Sequence, residues 1–356
     1  MIRPFRIDIP QSDLDDLHHR LARTRWADQL PESGDTYGVP TDRVRHLVEQ
    51  WQQLDWRALE AKLNEHPQFS TEIDGQNIHF LHLKSTRDTA FPLLLLHGWP
   101  GTFAEFLAVA APLTEAGYDL VIPSLPGYAF SGPTTSTGWN DQRTARALAE
   151  LMDRLGYARF GVVGNDHGAQ IAPELSRVAP VSGVHVSQVY SFPSGDPAEF
   201  ADLTEDEQSA LATLTWFAEH KMSFNTLHAQ QPQTLAHAIV DSPAGLVGWN
   251  SQLLGPDLDD EFVLTHLALH WFSGSAGSAI RQYFENARAP RPTEPTTVPL
   301  ALSGSAGDFH GFRRFADRDH GAIVSWRVHD VPTHYLHHAA PELAAREISE
   351  FFAEYR

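Results

Sequence analysis

The feature that most constrains this chain is a set of short apolar runs that do not alternate. "PLLLLHGWPG" from residue 92, "YDLVIPSLPGYAFSG" from 118, "FGVVGNDHG" from 160 and "VSGVHVSQVYSF" from 181 carry apolar side chains on successive residues, as strands buried on both faces must. Helical segments such as "RTARALAELMDRLG" separate them. Strands that alternate with helices in this way pair in parallel, so the expected core is an α/β fold around a parallel sheet. From residue 193 to about 285 the rhythm stops. "FADLTEDEQSALATLTWFAEHK" and "FVLTHLALHWFSGSA" are helical, with no strand run between them. "VPLALSGS" and "IVSWRVHD" then resume the strands, and "PELAAREISEFFAEYR" closes with an amphipathic helix. A sheet interrupted by a helical insertion is the simplest account, with the proline-rich "RAPRPTEPTT" as the connector back to the core.

Residues 1–85 read as a separate N-terminal unit. "PQSDLDDLHHRLARTRW" offers Ser12 or Asp13 as a helix cap before Leu14, Leu17 and Leu21 at helical spacing. "PTDRVRHLVEQWQQLDWRALEAKLNEH" continues as two helices, and "FSTEIDGQNIHFLHL" is a hairpin turning at Asp74-Gly75, a dipeptide suited to a tight primed turn. Trp26, Trp51 and Trp56 are expected to anchor this unit on the main domain. The chain then divides into an extension (1–85), a first core segment (86–192), a helical cap (193–285) and a second core segment (286–356).

Composition removes several classes of function. The 356 residues can bury a sizeable core, and a formal net charge of −19 opposes binding to nucleic acid or to an anionic membrane. The absence of cysteine excludes disulfides, thiolate catalysis and cysteine-based zinc sites. The start "MIRPFRIDIP" lacks a signal-peptide pattern and no apolar run reaches membrane-spanning length, so a cytoplasmic setting is expected. The 20 histidines, including His18, His19 and the "HYLHH" cluster, read as scattered surface residues, and neither metal nor organic cofactor is expected.

"GVVGNDHGAQ" carries the chemistry. Gly164 and Gly168 flank Asp166 at two residues on either side, the spacing a strand needs to turn sharply into a helix and push the central side chain above the sheet. The same five residues would also suit an aspartate that only caps the helix. An elbow would aim the His167 N–H into the cleft, and His97-Gly98-Trp99-Pro100, at the end of an earlier strand, could set the Trp99 N–H opposite it as a second oxyanion donor. An elbow enzyme also needs an acid and then a histidine on later loops. Asp308 follows "VPLALSGSAG" and His334 follows "IVSWRVHDVPT", in that order. Loop length alone does not separate Asp308 from Asp317, Asp319 or Asp330, nor His334 from His337 and His338. "SGSAG" twice mimics a serine elbow, at Ser275 and Ser305. Ser275 lies in the helical insertion, and Ser305 leaves too little chain for the acid and histidine.

The blocks "TRW", "YGVP", "DWRALEAKLNEHPQFSTEIDGQNIHFLH", "LLLHGWPGTFAEF", "PSLPGYAFSG", "QPQTLAHAIVDSPAGLVGW" and "HYLHHAAPEL" resemble, in order and over essentially the whole chain, α/β-hydrolase-fold epoxide hydrolases of the microsomal and juvenile-hormone type. The resemblance implies an α/β-hydrolase fold with a helical cap and a helical-plus-hairpin N-terminal extension. It also implies conversion of an epoxide and water to a vicinal diol. Asp166 would open the ring as nucleophile, and His334 with Asp308 would activate the water that hydrolyses the resulting ester. Trp99 and His167 would form the oxyanion hole. Family spacing favours Asp308, ten residues after Val298, and His334, which Pro341-Glu342 follows. Of the two cap tyrosines the family uses to protonate the departing oxygen, one falls on Tyr283 and the other on Phe224. His167 also departs from the tryptophan frequent beside the nucleophile, which weighs against halide release. Tyr190, Phe224 and Pro100 are the expected pocket residues, and Tyr190 could stand in for the missing hydroxyl. A small-molecule epoxide is the expected partner, with a homodimer compatible and the setting bacterial. The substituted tyrosine leaves two alternatives: another electrophile (ester, lactone or haloalkane), or lost turnover.

Overall fold

The structure, a computed structural model, describes residues 1–309 and 311–356. Nine strands form one sheet: β1 (Arg3–Phe5), β2 (Gln68–Ile73), β3 (Gln76–Leu83), β4 (Phe91–Leu96), β5 (Tyr118–Pro123), β6 (Phe160–Gly164), β7 (Val181–Val186), β8 (Leu300–Ser305) and β9 (Ile323–His329). Their order is β1-β2-β3-β5-β4-β6-β7-β8-β9. The pairs among β1, β2, β3 and β5 are antiparallel, and every pair from β5 to β9 is parallel. The non-alternating runs are the central strands: β5, β6, β7 and β8 are buried at every residue. The Asp74-Gly75 turn has φ of 52° and 71°, as a primed hairpin requires.

The hairpin is part of the sheet rather than of a free-standing unit, since β3 pairs with β5 through Phe80 to Leu83. The rest of the N-terminal segment is helical, over Gln11–Ala22, Thr41–Gln53 and Trp56–Leu63. The first helix begins after Pro10, so Ser12 and Asp13 lie inside its first turn and cap nothing. Trp51 and Trp56 are buried, but against the cap: they meet Trp271 at 6.4 Å and Phe272 at 4.6 Å, on the helix Asp260–Phe272. Lys62–Glu261 and Arg43–Asp260 ion pairs, at 2.7 and 3.0 Å, join the same two regions. Trp26 remains partly exposed under the Arg45 guanidinium, so it is not an anchor.

The chain leaves β4 toward β5 on one side and returns to β6 on the other. In an open parallel sheet this reversal opens a crevice at the carboxyl ends of the two diverging strands. His97 to Trp99 follow β4 and Asn165-Asp166 follow β6, so both segments reach that crevice. The helices Ser223–Gln230 and Arg281–Asn286 cover it with Phe224, His228 and Tyr283.

Candidate active site

Asp166 sits between β6 and the helix His167–Ser176 at φ 53° and ψ −120°, a strained conformation for a residue bearing a side chain. The glycines explain how the chain accommodates it. A Cβ on Gly168 would lie 1.8 Å from the Leu96 carbonyl oxygen, and one on Gly164 2.4 Å from the Gly168 carbonyl. Ser275 and Ser305 have no such backbone. Ser275 is buried in hydrogen bonds from the Ala129 N–H and with His270, and Ser305 is the last residue of β8.

The Asp166 carboxylate faces the β4 loop. The Trp99 N–H donates to Asp166 Oδ1 at 2.8 Å. Gly98 makes room for this contact, because a Cβ there would lie 2.0 Å from that oxygen and 2.5 Å from the His167 nitrogen. His97 is neutral, since it accepts the Leu125 N–H on Nε2 and donates Nδ1–H to the Gly98 carbonyl, and burial pushes it down to about 3. The Pro100 carbonyl accepts from His270 Nε2 at 3.0 Å, which holds the far side of the same turn.

His334 and Asp308, the pair that family spacing favours, meet in the structure. His334 Nδ1–H donates to Asp308 Oδ2 at 2.9 Å. The rivals are committed elsewhere: Asp317 pairs with Arg313, Asp319 with Arg318, His338 with Asp259, and buried His337 packs on Phe106. Burial alone would lower His334. The Asp308 carboxylate overcomes it, with Asp166 and Glu105 adding to the pull, and His334 is raised to about 9. His334 therefore favours its imidazolium form in the resting protein.

Two residues that the sequence reading passed over tie the site together. Gln188, two residues past β7, accepts the Asp166 N–H on Oε1 at 2.8 Å and donates from Nε2 to Asn165 Oδ1 at 2.8 Å and Asp308 Oδ2 at 2.5 Å. One amide thus joins the Asp166 backbone to the Asp308 loop. Glu105 accepts from Asn165 Nδ2 at 3.1 Å, while its other carboxyl oxygen is buried without a partner. Burial first, and then the Asp166 charge, push its carboxyl well above the usual range, against His334 and Asn165. The only hint of Glu105 was a charged residue inside the apolar "FAEF". Nothing in the sequence marked Gln188, because 120 residues of chain separate it from Asp308 and no motif links the two.

The cap closes over these groups with rings. Phe224 stacks on Trp99 at 5.3 Å, His228 meets Trp99 edge-on at 4.6 Å, and Tyr283 stands 4.4 Å from the His167 ring. Trp249 Nε1–H donates to His228 Nε2 at 2.9 Å, so the proton of this neutral ring is on Nδ1. Burial and then His167 lower His228 to about 3. A cavity of about 610 Å³ runs from His167, Gln188, Tyr190 and Tyr283 out to the proline-rich connector at Ala289 to Pro295. Of the three expected pocket residues, Tyr190 lines this cavity and Phe224 and Pro100 do not; Phe224 stacks on Trp99 and the Pro100 carbonyl meets His270. Tyr190 lies four residues beyond the end of β7, not on the strand itself.

Among the described residues no group of three or more His, Asp or Glu side chains could hold a metal ion. The fold and this arrangement define an α/β hydrolase with a carboxylate at the elbow. Residues 2–106 match the epoxide hydrolase N terminus family and residues 92–230 the alpha/beta hydrolase fold family. A protein of Stigmatella aurantiaca, whose name assigns it provisionally to the epoxide hydrolases, is 35% identical over 100% of this chain and 86% of its own. Epoxide hydrolase 1 of Oryctolagus cuniculus is 26% identical over 98% of this chain and 88% of its own. An enantioselective mutant of the Aspergillus niger epoxide hydrolase superposes with a TM-score of 0.89 at 29% identity, covering 100% of this chain and 97% of the other. Juvenile hormone epoxide hydrolase of Bombyx mori shares the fold, with a TM-score of 0.91 at 24% identity over 100% of this chain and 95% of its own. The chain belongs to the epoxide hydrolase family.

Proposed function

We propose that this epoxide hydrolase turns a small-molecule epoxide into a vicinal diol through an alkyl-enzyme ester on Asp166. The reading is carried by the Asp166 carboxylate, with one oxygen on the Trp99 N–H at 2.8 Å and the other left to attack a ring carbon. Asp166 attacks while His334 is an imidazolium, whose charge favours the ionised nucleophile. The departing oxygen takes a proton from Tyr283, whose hydroxyl burial and Asp166 keep protonated. Esterification then removes the Asp166 charge, one of the three that hold the proton on His334. His334 releases that proton to the tyrosinate through solvent and becomes the base that the second step needs. Oriented by Asp308, it draws a proton from water, which adds to the ester carbonyl. That carbonyl oxygen is Oδ1, already on the Trp99 N–H, with the His167 N–H beside Gly98 as the second oxyanion donor. Collapse expels the diol and restores both charges.

The ring of the substrate would lie at the His167–Tyr190–Tyr283 end of the cavity, with its remainder toward the proline-rich connector. The Stigmatella aurantiaca relative supports a bacterial setting. No described helix is long and apolar enough to cross a membrane. The test is intact-protein mass after mixing His334→Ala with a panel of aryl and alkyl epoxides. A gain of one epoxide, mapped to the peptide holding Asp166 and absent in Asp166→Asn, is expected. Diol formation by the wild type with no adduct in His334→Ala would sink the covalent route.

A further inference from the structure

Ring opening leaves a developing alkoxide, and the cap offers it one hydroxyl where a pair would stabilise it better. Phe224 is a buried ring with nothing to donate, 6.1 Å from Tyr283 and stacked on Trp99. The unpartnered nitrogens nearby are poorly placed. His228 Nδ1 carries a proton but is fully enclosed and outside the cavity wall. His167 reaches the cavity, yet its ring is packed edge-on against Tyr283. On the strand side the situation differs. Tyr190 lines the cavity with Tyr283; burial raises its hydroxyl, and Asp166 is near enough for its charge to raise it further. Its ring is stacked on Phe309 at 5.2 Å and flanked by Phe192 at 6.4 Å, which fixes the ring in place.

We propose that Tyr190 is the second ring-opening residue of this enzyme: its hydroxyl and that of Tyr283 hold the epoxide oxygen from opposite walls while Asp166 attacks. The proposal rests on the covalent reading above. In the step itself an Asp166 oxygen forms a bond to a ring carbon. The bond from that carbon to the ring oxygen breaks, and its electron pair goes to the oxygen. One tyrosine transfers its proton there and the other keeps its hydrogen bond. The tyrosinate recovers a proton from the His334 imidazolium, so no other acid or base is consumed. The timing is physical. Burial, then Asp166 and Asp308, hold the Tyr190 proton on firmly in the resting protein. Forming the ester cancels the Asp166 charge at the moment the proton must leave.

The experiment is the single-turnover rate of adduct formation with styrene oxide, in the His334→Ala background so that ester accumulates. Tyr190→Phe and Tyr283→Phe are compared singly and together, with Phe224→Tyr added to Tyr190→Phe. Each single change should slow alkylation by about 10- to 1000-fold, consistent with about 10²–10⁴ for a positioned general acid. The double change should be slower than either single one, and Phe224→Tyr should recover part of the Tyr190→Phe loss. In the His334-intact protein, decay of an ester already formed should be unchanged by Tyr190→Phe, which a loss of fold would not permit. Alkylation by Tyr190→Phe within about threefold of the parent would overturn the role of Tyr190 alone. No adduct with Tyr190 intact would remove the covalent reading and this proposal together.

Discussion

On the strand side of the site Asp166 stands at φ 53°, with backbone donors and the Gln188 amide fixing its position to within hydrogen-bond lengths of 2.8 Å. On the cap side, Phe224, His228 and Tyr283 meet Trp99 through ring contacts of 5.3, 4.6 and 6.2 Å. The two walls tolerate change differently. Where a Cβ would fall 1.8 to 2.5 Å from backbone or carboxylate atoms, only glycine fits and the motif is rigid. Where rings of similar volume pack, one can replace another at small cost in stability. A ring without a hydroxyl, Phe224, can therefore pack in the cap against Trp99 without disturbing the elbow.

Replacing Asp166 is the severest test of the strand side. Asp166→Asn should lower turnover by at least ~10⁴-fold, the scale of losing a member of a catalytic triad, in steady-state diol formation. Gly98→Ala should follow. Its methyl would displace Asp166 Oδ1 from the Trp99 N–H, and losing such a donor lowers kcat by about 10²–10³. Gln188→Ala strips the shared amide from Asp166, Asn165 and Asp308. It should destabilise the protein by about 1–3 kcal/mol in denaturant unfolding, the range for leaving buried partners unsatisfied. Trp249→Phe removes one neutral hydrogen bond in the cap and should cost about 1 kcal/mol, with alkylation unaffected. If Trp249→Phe proves as damaging as Gln188→Ala, the contrast between the walls fails.

The charge coupling gives a further test. His334 in the folded protein titrates at about 9, above its ordinary 6.5. Its protonated form thus favours folding fully below about pH 6.5, and that contribution is lost as pH rises through 9. The Asp166→Asn variant lacks one of the carboxylates that raise His334, so the imidazole signal in an NMR titration should move to lower pH. By the same sign, ester hydrolysis should gain rate with pH through a value below 9. An unchanged midpoint in Asp166→Asn would mean that Asp166 does not hold the proton on His334, and that esterification does not release the base.

Much of the strand side was legible from residue order. The runs at β4, β5, β6 and β7 lack alternation because both faces are covered, and that pattern needs no tertiary information. Asp166 could be singled out since Gly164 and Gly168 are a local steric requirement of the turn. Less could be read about which elements meet. The hairpin joins the main sheet, and Trp51 and Trp56 brace the cap helix Asp260–Phe272, because burial tells that a ring is covered but not by what. Glu105 and Gln188 lie far along the chain from the groups they hold, and each looks like an ordinary polar residue there.

By itself, then, the order of residues determined what backbone geometry dictates locally: the strand periodicity, the Asp74-Gly75 turn, the glycine-flanked turn at Asp166, and an acid and then a histidine on later loops. Only the tertiary structure decided what depends on side-chain direction across distant segments: which carboxylate His334 finds, how far its proton is held, that one amide links Asp166 to Asp308, and that Tyr190 lines the cavity while Phe224 covers Trp99. A turn is specified by a few neighbouring dihedral angles and the clashes they allow. A contact between distant residues is specified by the packing of the whole sheet and cap.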